Sequence, residues 1–351
     1  MSIEQTIDVT IAAEMQRQHL PGLALAVIDH GELVLAKGYG FANLELSVPT
    51  TPDTVYEIAS LTKQFTATAI MILVEEGKVK LTDPVSYYDQ RLPERWQAIT
   101  LHHLLSHTSG VHYWSADFAR ADLTIEELYQ DAYRLPLQFS PGTQCAYCDV
   151  NYNILGMVIH QVTGKPYHEF LQERIFAPLG MNARHNDWRA IVPNRATGYC
   201  WEDGEWKNCL GIHWHPLSDA TQTAPINGAN GSLLCSANDL AKWDAALYTE
   251  QIITQATRQQ MWTPTILSEP KAGFGLGWWI EEQAGQGLAS HGGMNPAFGV
   301  WYGRYPDANL GIAVLTNCAF GQQEWVAETS PNPGLIGKRV AEFYQSISLG
   351  K

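Results

Sequence analysis

One long apolar segment of this chain opens with a serine and a lysine: Tyr56-Glu-Ile-Ala-Ser60-Leu-Thr-Lys63-Gln-Phe-Thr-Ala-Thr-Ala-Ile-Met-Ile-Leu-Val-Glu75. Its length and composition predict a buried helix, which Gly77 ends as a C-cap glycine. Residues three apart on a helix are neighbours on one face. The Lys63 amine can therefore reach the Ser60 hydroxyl and act as its base.

The Ser-x-x-Lys pattern alone is weak evidence, because it occurs three times in this chain. Ser268 is followed by Pro270 and Gly273, which disfavour a regular helix. Ser348 lies among the last residues of the chain, where order is commonly lost. Only Ser60 opens an apolar run of helical length, and we take it as the candidate nucleophile.

The composition is that of an ordinary globular protein with one large domain or two modest ones, since 45% of the 351 residues are apolar and 17% are charged. The net charge of −14 disfavours binding to nucleic acid or to an anionic membrane. The longest apolar runs are too short to span a bilayer. The N-terminal residues lack the features of a signal peptide, so we expect a cytoplasmic protein, or a periplasmic or secreted one if a signal was removed.

The six cysteines are expected to be free thiols, as is usual in a long chain without a signal peptide. Cys145 and Cys148 form a C-x-x-C pattern, but no second pair follows at zinc-finger spacing. A disulfide between Cys200 and Cys209, on either side of a Trp-rich loop, stays an open alternative.

Two histidines invite a metal hypothesis, because His103 and His107 lie four residues apart in the predicted helix Ile99–Ser106 and just after it. The glutamate of the zinc-binding H-E-x-x-H motif is missing beside His103. Packing or helix capping therefore explains both histidines better, and we expect no metal and no cofactor.

Predicted strands lie near both ends of the chain, and predicted helices fill its middle. The strands are Leu23–Asp29, Leu33–Tyr39, Phe274–Ile280, Leu288–His291, Phe298–Tyr305 and Leu310–Leu315. The helices outside the Ser60 segment are Ile3–His19, Ile99–Ser106, Ile125–Ala132, Asn151–Thr163, His168–Ile175, Leu240–Leu247 and Ile336–Ile347.

This order predicts one sheet built from both ends of the chain. Residues 1–77 and 228–351 would form a discontinuous sheet domain, residues 78–183 an inserted helical domain, and residues 184–227 a Trp-rich lid. Ser60 would then lie at the seam between the domains, where ligand clefts tend to form.

Further motifs accompany the Ser60 segment, in a fixed order along the chain. They are Pro21-Gly22, Leu101–Gly110, Tyr147-Cys-Asp149, Phe176–Met181, Gly228-Ala-Asn-Gly-Ser and His291-Gly292-Gly293. As a set they resemble the family of serine β-lactamases and penicillin-recognising proteins, in its class C branch. The resemblance implies an α+β fold, with an antiparallel sheet flanked by helices and an inserted helical domain. That branch also contains esterases, D-aminopeptidases and D-amino-acid amidases.

The resemblance implies a role for each matching position. Ser60 would attack a carbonyl and form an acyl-enzyme, while Lys63 takes its proton. Tyr147 would act as a second base that activates the deacylating water, and His291 replaces the lysine of the third family motif. The backbone N–H groups of Ser60 and Met294 would form the oxyanion hole.

Substrate contacts are expected from two groups of residues. Gly292 and Gly293 would let a substrate lie along their strand. The aromatic residues Tyr113, Trp114 and Trp214 would shape substrate choice.

Asp149 departs from the Tyr-x-Asn pattern of the family. A carboxylate beside Lys63 favours the charged form of the lysine, and it repels anionic substrates. The chain also lacks the lysine that would attract a substrate carboxylate. We therefore expect a hydrolase for a neutral ester, or for an amide of an amino acid or short peptide.

Three alternatives stay open at this point. One is a β-lactamase or D-Ala-D-Ala carboxypeptidase. Another is a family member that binds a small molecule or short peptide without turnover, and the most distant is a metallohydrolase. The oligomeric state does not follow from these patterns.

Overall fold

The computed structural model describes residues 2–112, 132–187, 190–209, 228–269, 271–295, 297–319 and 331–348. Tyr113, Trp114, Trp214 and most of the predicted helix Ile125–Ala132 lie outside these residues. No helix of the described part is both long and apolar enough to span a membrane.

Most strands come from the two ends of the chain, as the sequence predicts. They are β1 (Gly22–Asp29), β2 (Glu32–Asn43), β3 (Val48–Pro49), β4 (Tyr56–Glu57), β5 (Arg184–His185), β6 (Tyr199–Glu202), β7 (Glu205–Asn208), β8 (Leu233–Cys235), β9 (Ile266–Glu269), β10 (Ala272–Phe274), β11 (Trp279–Gln283), β12 (Gln286–Asn295), β13 (Phe298–Tyr305), β14 (Leu310–Thr316) and β15 (Cys318–Ala319).

Nine strands form one antiparallel sheet in the order β3-β2-β1-β14-β13-β12-β11-β10-β9. The two ends of the chain meet where β1 pairs with β14, from Leu23 opposite Thr316 to Asp29 opposite Leu310. The prediction of a large sheet built from both ends is confirmed, but the sheet is not single, because the described residues also form two three-stranded sheets, β15-β6-β7 and β4-β8-β5. The division into a sheet domain and an inserted helical domain stays a prediction.

The described helices also follow the predicted order, except that the helix Gln255–Met261 was not predicted. They are α1 (Ile3–Arg17), α2 (Thr62–Glu75), α3 (Leu101–Leu105), α4 (Asp149–Thr163), α5 (Tyr167–Leu171), α6 (Ala237–Ala246), α7 (Gln255–Met261) and α8 (Pro333–Ser348). Gly77 follows α2 with a φ of 68°, a left-handed conformation that glycine adopts at low cost.

Alternate side chains of β1 belong to two hydrophobic cores, as the two-residue period of a strand dictates. Leu23, Leu25 and Val27 lie in the core formed with α1 and α8. The residues between them lie in the core formed with α2 and α6. The strand is therefore covered on both faces, which explains why it is an unbroken apolar run.

The prediction of one strand over Phe274–Ile280 is wrong, because the chain bends between β10 and β11. Gly277 lies in the bend with a φ of +83°. A Cβ at this position would lie 2.6 Å from Ala67 Cβ and 2.9 Å from the Lys63 carbonyl oxygen. The bend therefore seats this edge of the sheet directly against α2.

Part of the predicted lid forms strands, since β6 and β7 make a hairpin and β15 pairs with β6. Cys200 and Cys209 are joined by a disulfide that encloses this hairpin. The expectation of free thiols is therefore wrong for these two cysteines. The two cysteines lie nine residues apart in the sequence. The sequence left their pairing open, because they come together only when the hairpin forms.

His103 is a helix-capping residue, as predicted. Its Nδ1 accepts the Thr100 N–H at 3.2 Å, and Thr100 Oγ1 accepts the His103 N–H at 3.3 Å. These reciprocal bonds satisfy two amides at the start of α3 that would otherwise lack partners.

A buried ion pair ties α6 to the centre of the sheet. Arg304 Nη1 on β13 lies 2.8 Å from Asp244 Oδ1, and both side chains are almost completely buried. The Tyr302 hydroxyl donates to the same carboxylate oxygen at 2.5 Å. Each charge depends on the other for its compensation.

We predict that Arg304→Met lowers the free energy of unfolding by about 3–5 kcal/mol, because the Asp244 carboxylate is left buried without its cation. Urea denaturation followed by circular dichroism measures this change. Lys271→Met is the matched control, since it removes an exposed pair with Glu282 and should cost less than about 1 kcal/mol. Equal small effects of both substitutions would contradict the prediction.

Candidate active site

Ser60 lies in a single 3-10 turn, Ala59–Leu61, between β4 and α2. Ala59 has a φ of 42°, which is unusual for a residue with a Cβ and makes the turn sharp. Strain of this kind often marks a functional position. The Ser60 side chain is left half-buried at the start of α2.

Lys63 is fully buried one turn later, and its amine contacts three oxygens. Nζ lies 3.0 Å from Ser60 Oγ, 2.7 Å from the Asn230 carbonyl oxygen and 2.7 Å from Asp149 Oδ1. Burial lowers the pKa of Lys63 below its usual 10.5, and the Asp149 charge opposes this shift. The sequence shows only the carboxylate, whereas burial is the larger effect in the structure.

Tyr147 and Asp149 reach Lys63 from the start of α4. Cys148 between them is extended, with a φ of −150°, and precedes the first helical residue. Extended backbone turns the side chains on either side of it in the same direction. Asp149 meets the amine directly, and the Tyr147 ring centroid lies 4.9 Å from Lys63 Nζ.

The Ser60 hydroxyl lies close enough to the Tyr147 phenol to lower its pKa slightly, against the larger effect of burial. Burial raises the pKa of Tyr147 well above 10, and the nearby Asp149 charge adds to the effect. Tyr147 is therefore a neutral phenol at neutral pH, which can donate one proton and accept another.

His291 is buried on β12, and its ring lies 6.2 Å from that of Tyr147. Its Nδ1 donates to the Gly292 carbonyl oxygen at 2.5 Å, since a carbonyl can only accept. Burial, with a smaller contribution from Lys63, lowers the pKa of His291 to about 4. The ring is therefore neutral, with Nε2 as an acceptor.

The two glycines after His291 differ in what surrounds them. A Cβ on Gly293 would lie 2.0 Å from the Ile58 carbonyl oxygen and 2.8 Å from Val300 Cγ2. A Cβ on Gly292 would find its nearest neighbour, the Val300 carbonyl oxygen, at 3.6 Å. Gly293 is thus required where β12 touches the segment that leads into Ser60.

The structure brings together Ser60, Lys63, Tyr147, Asp149 and His291, which lie far apart in the sequence. Gly292, Gly293 and Met294 follow on β12, in the part of the strand that packs against the Ser60 turn. The oxyanion hole formed by the Ser60 and Met294 amides stays a prediction.

The loop before β8 contributes to the site in a way that the sequence did not predict. The carbonyl oxygens of Ala229 and Asn230 accept hydrogen bonds from Thr66 Oγ1 and Lys63 Nζ. Every residue has a main-chain carbonyl, so the sequence does not show which carbonyls will accept a hydrogen bond in the site. The run of small residues from Gly228 was the only indication that the backbone comes close to another element here.

A serine hydroxyl beside a fully buried lysine, with a tyrosine against both, is the arrangement of a serine hydrolase that works through an acyl-enzyme. The chain belongs to the beta-lactamase family, whose model matches residues 7–329.

Relatives and solved structures agree with this assignment. The chain is 31% identical over 275 residues to the putative penicillin-binding protein PbpX of Bacillus subtilis, covering 78% of this chain and 65% of that protein. Across its whole length it superposes on the octameric penicillin-binding protein homologue of Pyrococcus abyssi, with 30% identity, a TM-score of 0.82 and 78% of that chain covered.

The D-amino acid amidase of Ochrobactrum anthropi SV3, solved with L-phenylalanine amide, gives a TM-score of 0.84 at 25% identity, with 99% of both chains covered. The predicted family and fold class are confirmed. The chain spans about two thirds of the length of the curated relatives that it matches.

We predict that Gly293→Ala slows acylation of Ser60 by about 10²-fold, because the new methyl group pushes β12 away from Ile58 and a displacement near 1 Å costs about that much in rate. Labelling with a fluorophosphonate probe measures the acylation rate. Gly287→Ala is the matched control, because Gly287 lies on the same strand, is not one of the site residues and has no atom within 4 Å of where its methyl group would lie. Equal rates for the two variants would contradict the prediction.

Proposed function

We propose that the chain hydrolyses a small ester, or an amide of an amino acid or short peptide, through an acyl-enzyme on Ser60. We further propose that the preferred substrate has no carboxylate next to the scissile bond. The observation that carries the second proposal is the ion pair between Lys63 and Asp149, with 2.7 Å between Nζ and Oδ1.

The charges around Ser60 support this substrate class. The positive charge of Lys63 is paired with the Asp149 carboxylate. His291, which stands where the third family motif has a lysine, is neutral. Among the described residues of the site, a substrate carboxylate would therefore meet no positive charge that is not already paired. It would also meet the Asp149 carboxylate, whose side chain is 13% exposed. An amine-bearing substrate would instead be attracted to that carboxylate.

The same contacts support a division of roles during acylation. Lys63, whose neutral form burial favours, accepts the Ser60 proton across 3.0 Å. Tyr147 is held as a phenol against Ser60 and can pass a proton to the leaving group. When water releases the acyl group, the two proton transfers run in reverse. Tyr147 takes a proton from the water, and Lys63 returns a proton to Ser60 Oγ.

The comparison with the amidase adds support for an amine-bearing amide. That enzyme was solved with L-phenylalanine amide and also with the free amino acids D-phenylalanine and L-phenylalanine, and all three ligands carry an amine.

One observation favours a second candidate, a protein that binds a ligand without turnover. The Asp149 charge opposes the loss of the Lys63 proton, and a permanently charged Lys63 could not act as a base. The two candidates differ in whether Ser60 becomes acylated.

We predict that a fluorophosphonate probe adds one adduct to the wild-type protein, seen by intact-mass spectrometry, and none to Ser60→Ala. A panel of p-nitrophenyl esters, D- and L-amino-acid anilides and nitrocefin then ranks the substrates. Uncharged esters or amino-acid anilides should exceed nitrocefin in kcat/KM. An unlabelled wild-type protein would favour the binder, and efficient nitrocefin turnover would contradict the charge argument.

We predict that Asp149→Asn moves the acid limb of the kcat/KM profile for a neutral ester to lower pH. Asp149 raises the pKa of Lys63 against the effect of burial, so its removal lowers that pKa further and the neutral base persists in more acidic solution. The preference for nitrocefin over the ester should rise by about tenfold, equivalent to about 1.4 kcal/mol of relieved repulsion.

Asp89→Asn is the control for this experiment, because Asp89 is also a buried aspartate with a basic partner, Arg91, and is not one of the site residues. It should leave the acid limb in place. A limb that stays fixed in Asp149→Asn, or moves to higher pH, would mean that Lys63 is not the titrating base.

A further inference from the structure

His107 lies directly behind Tyr147 and contacts the chain on both sides of it. We propose that His107 is a positioning residue that holds Tyr147 in its orientation toward Ser60 and Lys63. This inference rests on the proposed function, since it concerns how the proposed proton-transfer group is kept in place.

Three contacts connect His107 with the Tyr147 segment. The His107 carbonyl oxygen accepts the Ala146 N–H at 2.9 Å, and its Nδ1 accepts the Cys148 N–H at 3.1 Å. The imidazole ring lies against the Tyr147 ring, with 4.4 Å between centroids and 31° between planes. One residue thus holds the residue before Tyr147, the residue after it and the ring itself.

His107 is itself held firmly, which a positioning residue must be. It is 1% exposed, and its ring also contacts the rings of Tyr152 at 5.2 Å and Phe274 at 4.8 Å. Its neighbour Thr108 is tied at both backbone groups, donating to the His103 carbonyl and accepting from the Gly142 N–H.

The hydrogen bond to Cys148 requires the neutral imidazole. Nδ1 can accept an N–H only when it carries no proton, so the ring proton lies on Nε2. Burial holds the pKa of His107 well below 6.5, and the Lys63 charge lowers it further. The acceptor is therefore present throughout the neutral pH range.

The consequence for Tyr147 follows from its place in the chain. It precedes α4 and lies outside the hydrogen-bonding pattern of that helix. The amides of its two neighbours are satisfied by His107 instead. The direction of the phenol toward Ser60 therefore depends on a histidine that need not touch the substrate.

Two substitutions separate the contacts of His107. His107→Phe keeps an aromatic ring against Tyr147 but loses the acceptor for the Cys148 N–H. His107→Asn keeps a side-chain acceptor and tolerates the left-handed backbone at this position, where φ is 57°. His102→Phe is the control, because His102 lies on α3, a few residues before His107, and is not one of the site residues.

We expect His107→Phe to lower kcat for a neutral ester, and the rate of fluorophosphonate labelling, by about 10²-fold with little change in KM. His107→Asn should recover most of the rate. In a Tyr147→Phe background the same His107→Phe change should cost less than about threefold, because the group that it positions is gone. His102→Phe should leave kcat unchanged.

An additive effect in the double variant, or a full rate in a folded His107→Phe protein, would overturn the inference. Hydrogen–deuterium exchange of the peptide containing residues 146–148 provides a readout without catalysis, and it should be faster in His107→Phe than in wild type. Unchanged exchange would also overturn the inference. A wild-type protein that resists labelling, combined with faster exchange in the variant, would contradict the proposed function and leave the positioning role standing.

Discussion

A fully buried lysine is the constraint on which the site depends. Moving an ammonium group out of water costs several kcal/mol unless protein oxygens replace the lost solvent. Lys63 meets this requirement with Ser60, Asn230 and Asp149. These oxygens come from the turn before α2, the loop before β8 and the start of α4, so solvating one amine brings three separate segments together.

Burial also determines the protonation states around the pair. It raises the pKa of Tyr147 and lowers those of His107 and His291, so an acid and two bases are all neutral. The Lys63–Asp149 pair is therefore the main charged feature among the described residues of the site.

The large sheet contributes to the site through close backbone contact. Gly293 lets β12 touch the segment before Ser60, and Gly277 lets the bend between β10 and β11 touch α2. Neither position has space for a Cβ. The spacing between the sheet and the nucleophile therefore depends on two residues that have no side chain.

Much of the fold follows from local pattern. Strands β13 and β14 begin and end close to the predicted bounds, Phe298–Tyr305 and Leu310–Leu315, because each is a continuous apolar run. The order of motifs along the chain likewise singles out Ser60, Lys63, Tyr147 and His291. Each of these patterns consists of residues that are close together in the sequence.

The rest was decided by contacts between distant parts of the chain. The Cys200–Cys209 disulfide, the Asn230 carbonyl on Lys63 and the three contacts of His107 with the Tyr147 segment each need a tertiary neighbour. The direction of the Lys63 pKa is the clearest case. The sequence alone shows the Asp149 carboxylate that raises this pKa, but burial, which outweighs it, is a property of the folded chain and exists only once the surrounding elements have excluded water.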